Sequence, residues 1–190
     1  MTADITVVNA LVARLTDLAN SESAAGFPAD RRASGCPGLY SWWADDGALD
    51  ILSTPFGVRL PPLIYAGQAG ATSTRSRRVA LATLGSRICT NHLNGNVASS
   101  TFRKTLTAIL FEPLGLKLSG AQHLDKASNA AVSVWMRAHL RLVIAPHPDR
   151  ELLGEVEHAV LQRIDPPLNL MGMPPTFIRA ALSGLRRRLG

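Results

Sequence analysis

The sequence is poor in the residues that define several common classes of protein. Its two cysteines, Cys36 and Cys89, are too few for a disulfide scaffold and have no metal-ligand spacing. No apolar run approaches the roughly 20 residues of a membrane-spanning helix. The N-terminal residues also lack the basic segment and unbroken apolar block of a signal peptide. These absences predict a protein of the reducing cytoplasm that has no membrane partner.

Acidic residues are scarce relative to basic ones, with 14 Asp and Glu against 20 Lys and Arg, so the net charge is +6. This excess favours a polyanionic partner, most simply nucleic acid. A mild positive charge without a specific use would give the same composition. The chain of 190 residues, 46% of them hydrophobic, fits one domain with ample material for a core.

The hydrophobic pattern alternates between helical and strand-like segments. Helices are predicted over residues 5–18, within 79–93, and over 100–112, 128–140, 149–165 and 176–189. Short strands are predicted at "GLYSWW", after the prolines of "LPPLIYAG", and at "LRLVIAP". The pattern predicts an α+β fold, with a small central antiparallel sheet of about three strands flanked by helices. Residues 1–30 would form an N-terminal helix and loop, 31–172 the domain that contains the sheet, and 173–190 a basic helix packed on it.

Both tyrosines of the chain stand in these short strands, each two residues from a glycine. Tyr40 ends "GLY", and Tyr65 begins "YAG". A single tyrosine in a strand is ordinarily a core residue. Two antiparallel strands could instead bring both hydroxyls to one site, where they could hold or deprotonate a water. A tyrosine acting as base at neutral pH would need its pKa lowered by about 3 units, or about 4 kcal/mol.

Glu157 falls among apolar positions of its predicted helix. A period of 3.6 residues places its carboxylate between Leu161 and Ile164, whereas Glu155 lies on the solvent side. A carboxylate among core positions is costly unless a partner or a metal binds it. The alternative is a boundary glutamate whose stem packs while its head reaches water.

In this order the motifs resemble the GIY-YIG nuclease superfamily, over roughly residues 38–170. The motifs "GLY" and "YAG" carry Leu39 and Ala66 where the family name has isoleucine. The later matches are Arg87 and His92, then Glu157, and the Pro-x-x-Asn ending at Pro166 and Asn169. The stretch before Arg87 is longer than in compact members, so the basic loop carries three further candidate arginines: Arg75, Arg77 and Arg78.

The resemblance implies an endonuclease that hydrolyses phosphodiester bonds. Its catalytic residues would be Tyr40, Tyr65, Arg87, His92 and Glu157. Glu157 would hold the metal, and one carboxylate without a histidine cluster suits Mg²⁺ or Mn²⁺. Arg87 could grip a phosphate, while His92 could relay a proton, contact phosphate or cap its helix. The predicted substrate-binding residues are Gly67, Arg75, Arg77, Arg78, Arg103 and Asn169, although the position of Asn169 after two prolines favours structural support as its role.

The expected partner is nucleic acid, with DNA favoured over RNA. The basic loop at 69–78 and the helix carrying Arg179 and Arg186 to Arg188 would contact phosphates, unless they are only solvated faces. Two other functions stay open: a binding module that has lost catalysis, and an RNA-cleaving enzyme. Sequence specificity and oligomeric state also stay open.

Overall fold

The computed structural model describes residues 3–72 and 82–190. The helices are α1 (Ile5–Leu15), α2 (Arg31–Ser34), α3 (Asp46–Ser53), a π-helix (Ser86–Leu93), α4 (Thr101–Leu110), α5 (Lys126–His139), α6 (Leu153–Ile164) and α7 (Phe177–Arg187). The strands are β1 (Glu22–Ser23), β2 (Gly38–Ala44), β3 (Leu63–Ala69), β4 (Leu118–Gly120), β5 (His123–Leu124) and β6 (Leu140–Pro146). Short 3-10 turns occupy Leu18–Asn20, Thr54–Phe56 and Val97–Ser99.

The main sheet has the strand order β1-β6-β2-β3, and every pair in it is antiparallel. The predicted α+β class and central antiparallel sheet are therefore confirmed. The sheet has a fourth strand because the two residues of β1 pair with β6 at its edge. A separate hairpin is formed by β4 and β5.

Helices cover both faces of the sheet. On one face, Leu39 and Val143 pack with Val8 of α1 and Val156 of α6. On the other face, a larger core joins Tyr40, Trp42 and Tyr65 to α3, α4 and α5. Helix α7 belongs to this second layer because Leu182 is fully buried in the same core. The two layers leave β3 as an edge strand, and the candidate site lies beside it.

The predicted end of the first helix and the predicted start of α6 each differ from the structure by more than two residues, and each difference has a local cause. Helix α1 ends at Leu15, because the Asp17 carboxylate accepts from the Ala19 amide and starts a 3-10 turn. Helix α6 begins at Leu153 rather than at residue 149. Before it, Asp149 accepts from the amides of Glu151 and Leu152 in a turn. Within the described part of the chain, none of the helices is long and apolar enough to cross a membrane.

Candidate active site

The pairing of β2 with β3 brings the two tyrosines to one face of the sheet. Tyr40 lies opposite Gly67, and Trp42 lies opposite Tyr65, so the tyrosines are diagonal neighbours. A Cβ atom on Gly67 would come within 2.8 Å of the Tyr40 hydroxyl and 3.1 Å of its Cζ. The glycine is needed because the Tyr40 ring lies across the backbone of β3 at this point.

Tyr40 is joined to a buried histidine. Its hydroxyl lies 2.8 Å from Nε2 of His92, and Nδ1 of His92 lies 2.6 Å from the Ser100 hydroxyl. His92 is completely buried, and this burial lowers its pKa well below the ordinary value, with further lowering from Arg87 and Arg103. The imidazole is therefore neutral. Burial rules out a direct contact between His92 and phosphate, which was one of its three predicted roles.

The π-helix explains how Arg87 and His92 both reach Tyr40. In an α-helix, residues five apart point about 140° away from each other. The i→i+5 bonding of a π-helix brings such residues onto one face, and π-helical turns are frequent at functional sites. One of these bonds runs from the amide of Asn94 to the carbonyl of Cys89. Residues 86–93 adopt this geometry, so Arg87 lies beside Tyr40 on the same side as His92.

The guanidinium of Arg87 has a hydrogen-bond donor that is not used inside the described part of the protein. Burial acts to lower the pKa of its guanidinium, but Tyr40, Tyr65 and Glu157 outweigh it and the pKa is raised. Its Nε is buried and has no hydrogen-bond partner among the described residues. A buried donor without a partner is costly, and an anion in the adjacent cavity would satisfy it.

Tyr65 is held by helix α4. Its ring stacks on Phe102 with centroids 4.6 Å apart, and its hydroxyl lies 3.3 Å from the Thr101 hydroxyl. Burial raises the pKa of both tyrosines above the ordinary value. The negative charge of Glu157 adds to this effect, and Arg87 opposes it. Neither hydroxyl is ionised at neutral pH in this state.

Glu157 projects from α6 toward the tyrosines, as its helical position predicted, while Glu155 is exposed. Burial raises the pKa of Glu157 to about 7, against the opposing effects of Arg87 and a hydrogen bond from the Gln68 amide. No described residue forms an ion pair with it within 4 Å. A half-buried carboxylate with so little compensation is suited to a cation.

These side chains line one cavity of about 650 Å³. Of the predicted site residues, Tyr40, Tyr65, Gly67, Arg87, Glu157 and Asn169 meet there. Sequence reasoning missed Thr101 and His158, which also line it. No signal marked His158, because consecutive residues of an α-helix point about 100° apart. Thr101 gave none, since nothing in the sequence indicated that the start of α4 would meet β3. Three predicted arginines of the basic loop, Arg75, Arg77 and Arg78, lie outside the described residues.

Asn169 supports the edge strand and is not free to bind substrate. Its Oδ1 accepts from the Ala66 amide at 3.0 Å, and its Nδ2 donates to the Ala66 carbonyl at 2.8 Å. The side chain thus satisfies backbone groups that an edge strand leaves unpaired. The amide of Leu168 adds a bond to the carbonyl of Ile64. Of the two predicted roles for Asn169, the structural one agrees with this geometry.

Two predicted phosphate-binding arginines are internal, which corrects the sequence interpretation. Arg103 is fully buried and donates to the carbonyls of His92 and Asn129 and to the Ser133 hydroxyl. Arg179 is 5% exposed, and its guanidinium donates to the Asn169 carbonyl and the Asp165 carboxylate. Neither side chain can reach a ligand, since each is needed where it lies to satisfy buried backbone carbonyls.

The site is a cavity with two tyrosines, an arginine and a carboxylate beside the edge of an antiparallel sheet, as the resemblance to GIY-YIG nucleases implied. A comparison with protein-family models agrees, since the GIY-YIG catalytic domain matches residues 38–188. The chain therefore belongs to the GIY-YIG family, and its function is of the nuclease type. Comparisons with curated proteins and with solved structures gave no significant match.

Proposed function

We propose that the protein is a metal-dependent endonuclease that cleaves DNA. The observation that carries this proposal is the convergence of Tyr40, Arg87 and Glu157 on one cavity, with His92 directly behind Tyr40. A module that only binds nucleic acid has no use for a buried carboxylate or for a tyrosine joined to a neutral histidine. Its surface cations would suffice.

Arg87 would bind the scissile phosphate. Arg87 lines the cavity beside Tyr40, so its guanidinium can donate to a phosphate while the attacking water lies at the tyrosine. Negative charge on the phosphoryl oxygens grows as the bond to water forms, so the same contact strengthens in the transition state.

Tyr40 and His92 would move the proton of the attacking water. Tyr40 is a poor base alone, because burial raises the pKa of its hydroxyl. As the water attacks phosphorus, its proton passes to Tyr40 Oη while the Tyr40 proton passes to Nε2 of His92, 2.8 Å away. We assign the Nδ1–H tautomer to His92, which donates to the Ser100 hydroxyl. A phosphate paired with Arg87 also offsets one of the two cations that lower the His92 pKa.

The residues present fit a hard divalent cation. The described residues contain no group of three His, Cys, Asp or Glu side chains that could hold a metal. Glu157 would therefore be the protein ligand, with water completing the shell, as Mg²⁺ and Mn²⁺ accept. The ion would supply charge stabilisation for the phosphate and the leaving oxygen. Binding of a cation would lower the raised pKa of Glu157.

The proposal is tested with purified protein and matched labelled oligonucleotides: duplex DNA, single-stranded DNA, flapped DNA and RNA of the same sequence. We expect cleavage of at least one DNA form with Mg²⁺ or Mn²⁺ and none with EDTA. Cleavage of RNA alone would identify the RNA-cleaving alternative. Binding to DNA without cleavage of any substrate in either metal would favour the non-catalytic module.

A further inference from the structure

A second cavity, of about 370 Å³, adjoins the catalytic one between α4 and α7. The two cavities share Leu170 and Arg186 in their linings, so they are neighbours. Three cations line the second cavity: Lys104 from α4, and Arg186 and Arg187 from α7. Arg186 therefore stands at the junction between the catalytic cavity and a basic one.

These three cations have no acidic partner among the residues that the structure describes. The ion pairs there involve Arg59, His139 and Arg179 instead. Lys104 donates only to the neutral Gln122 side chain, at 2.9 Å. Burial lowers the pKa of Lys104, and the nearby charge of Arg186 lowers it further. Repulsion between two like charges at a cavity is unfavourable, and a bound anion would offset it.

The geometry distinguishes these cations from the other basic residues of α7. Arg179 is buried against the carbonyls of its own loop, and Arg188 lines a separate, mostly apolar cavity with Ile51 and Phe111. Only part of the basic helix is therefore placed to meet a substrate bound at Glu157. Lys104 completes the set from a different helix, which the sequence did not indicate.

We propose that Lys104, Arg186 and Arg187 form a subsite for the backbone phosphate next to the one being cleaved. This inference rests on the proposed nuclease function. The cleaved strand then leaves the catalytic cavity past Arg186 and runs between α4 and α7. Two arginines and one lysine can bind a phosphodiester without contacting its base. The subsite therefore positions the strand and adds no sequence preference.

The test compares salt dependence of duplex-DNA binding for wild type, for the double variant Lys104→Gln/Arg187→Gln, and for the control Arg31→Gln/Arg32→Gln. The control removes the same charge from exposed residues of α2 that line neither cavity. All three are measured with EDTA, so that binding is read without cleavage. Each lost phosphate contact should reduce the slope of log affinity against log salt by about 0.9. We expect a reduction of about 0.9 for the double variant, because the three cations bind one phosphate, and little change for the control.

A second arm replaces single phosphates of the duplex with neutral methylphosphonates near the cleaved bond. Wild type should lose about tenfold in affinity at one position, and the double variant should show no such loss. Equal slopes for both double variants, or a methylphosphonate effect that the double variant retains, would overturn the subsite. Tight binding of inorganic phosphate, lost in the double variant while its DNA slope stays at the wild-type value, would assign the cavity to a free anion instead. Because this readout is binding, it stands apart from the nuclease proposal, which fails if no substrate is cleaved.

Discussion

At the scale of single residues, the contact between Tyr40 and His92 would make the proposed proton transfer depend on both side chains. The histidine is neutral and buried, so it can accept a proton from the tyrosine but cannot reach the substrate. Its effect on the reaction must pass through the Tyr40 hydroxyl, 2.8 Å away.

Replacing either partner should therefore slow cleavage by a similar amount. We expect His92→Gln, which can hydrogen-bond but not take up a proton, to reduce single-turnover cleavage about 10² to 10⁴-fold, and Tyr40→Phe to do the same. The double variant should be no slower than the worse single variant, because groups that act as a unit are not additive. His123→Gln, on an exposed hairpin, is the control. Multiplying effects in the double variant would contradict the relay.

Glu157 gives the free protein a pH-dependent stability. Because burial raises its pKa from 4.5 to about 7, the folded state holds the proton more tightly than the unfolded state. This group's contribution is therefore most favourable at low pH and is lost as pH rises from about 4.5 to about 7. In EDTA, wild type should lose up to about 3 kcal/mol of unfolding free energy relative to Glu157→Gln over that window.

Urea unfolding at pH 4.5 and pH 8 measures this difference. Glu155→Gln serves as control, since this carboxylate is exposed and should leave the wild-type pH dependence intact. A wild-type protein whose stability relative to Glu157→Gln rises across the same window would mean that Glu157 is ionised and paired in the fold.

At the scale of elements, the site depends on supports that surround the edge strand β3. Asn169 bonds both polar groups of Ala66, and Arg179 fixes the Asn169 carbonyl from α7. The segment after α6 thus closes the sheet where no further strand is available. It also holds Tyr65 and Gly67 in register with Tyr40.

Removing the Asn169 side chain should destabilise the protein and displace the tyrosines. We expect Asn169→Ala to cost about 2–4 kcal/mol of unfolding free energy, because two buried backbone groups lose their partners. Cleavage below the melting temperature should also fall. Gln162→Ala is the matched control, since it removes one exposed bond, to the Gly172 carbonyl. A stability change no larger than that of the control would contradict the supporting role of Asn169.

Much of this arrangement could be predicted from the sequence, and the remainder could not for physical reasons. Strand periodicity and glycine spacing indicated the tyrosine pair, and the 3.6-residue period indicated the inward position of Glu157. The sequence carries no signal for the π-helix, because a wider helical turn can be formed by residues of the same composition and hydrophobicity. The burial of Arg103 and Arg179 was equally invisible, since an arginine that satisfies buried carbonyls looks the same in sequence as one that binds phosphate.

At the scale of the whole molecule, the net positive charge and the fold would both contribute to the proposed cleavage of nucleic acid. The sheet brings Tyr40 and Tyr65 together, and α6 supplies Glu157. The neighbouring cavity between α4 and α7 is lined by Lys104, Arg186 and Arg187. A basic surface attracts nucleic acid from a distance, whereas the half-buried carboxylate of Glu157 would take part in cleaving it. We therefore propose that cleavage of nucleic acid by this protein depends on the carboxylate of Glu157.

The most direct measurement is single-turnover cleavage of a DNA substrate in Mg²⁺ by wild type, Glu157→Gln and Glu155→Gln, with affinity for the same DNA measured in parallel. We expect Glu157→Gln to be folded, to bind DNA at least as tightly as wild type, and to cleave it at least about 10³-fold more slowly, because the charge that holds the metal is gone. Glu155→Gln, two residues away and exposed, should cleave at the wild-type rate. Normal cleavage by Glu157→Gln, or loss of cleavage in Glu155→Gln instead, would contradict the account.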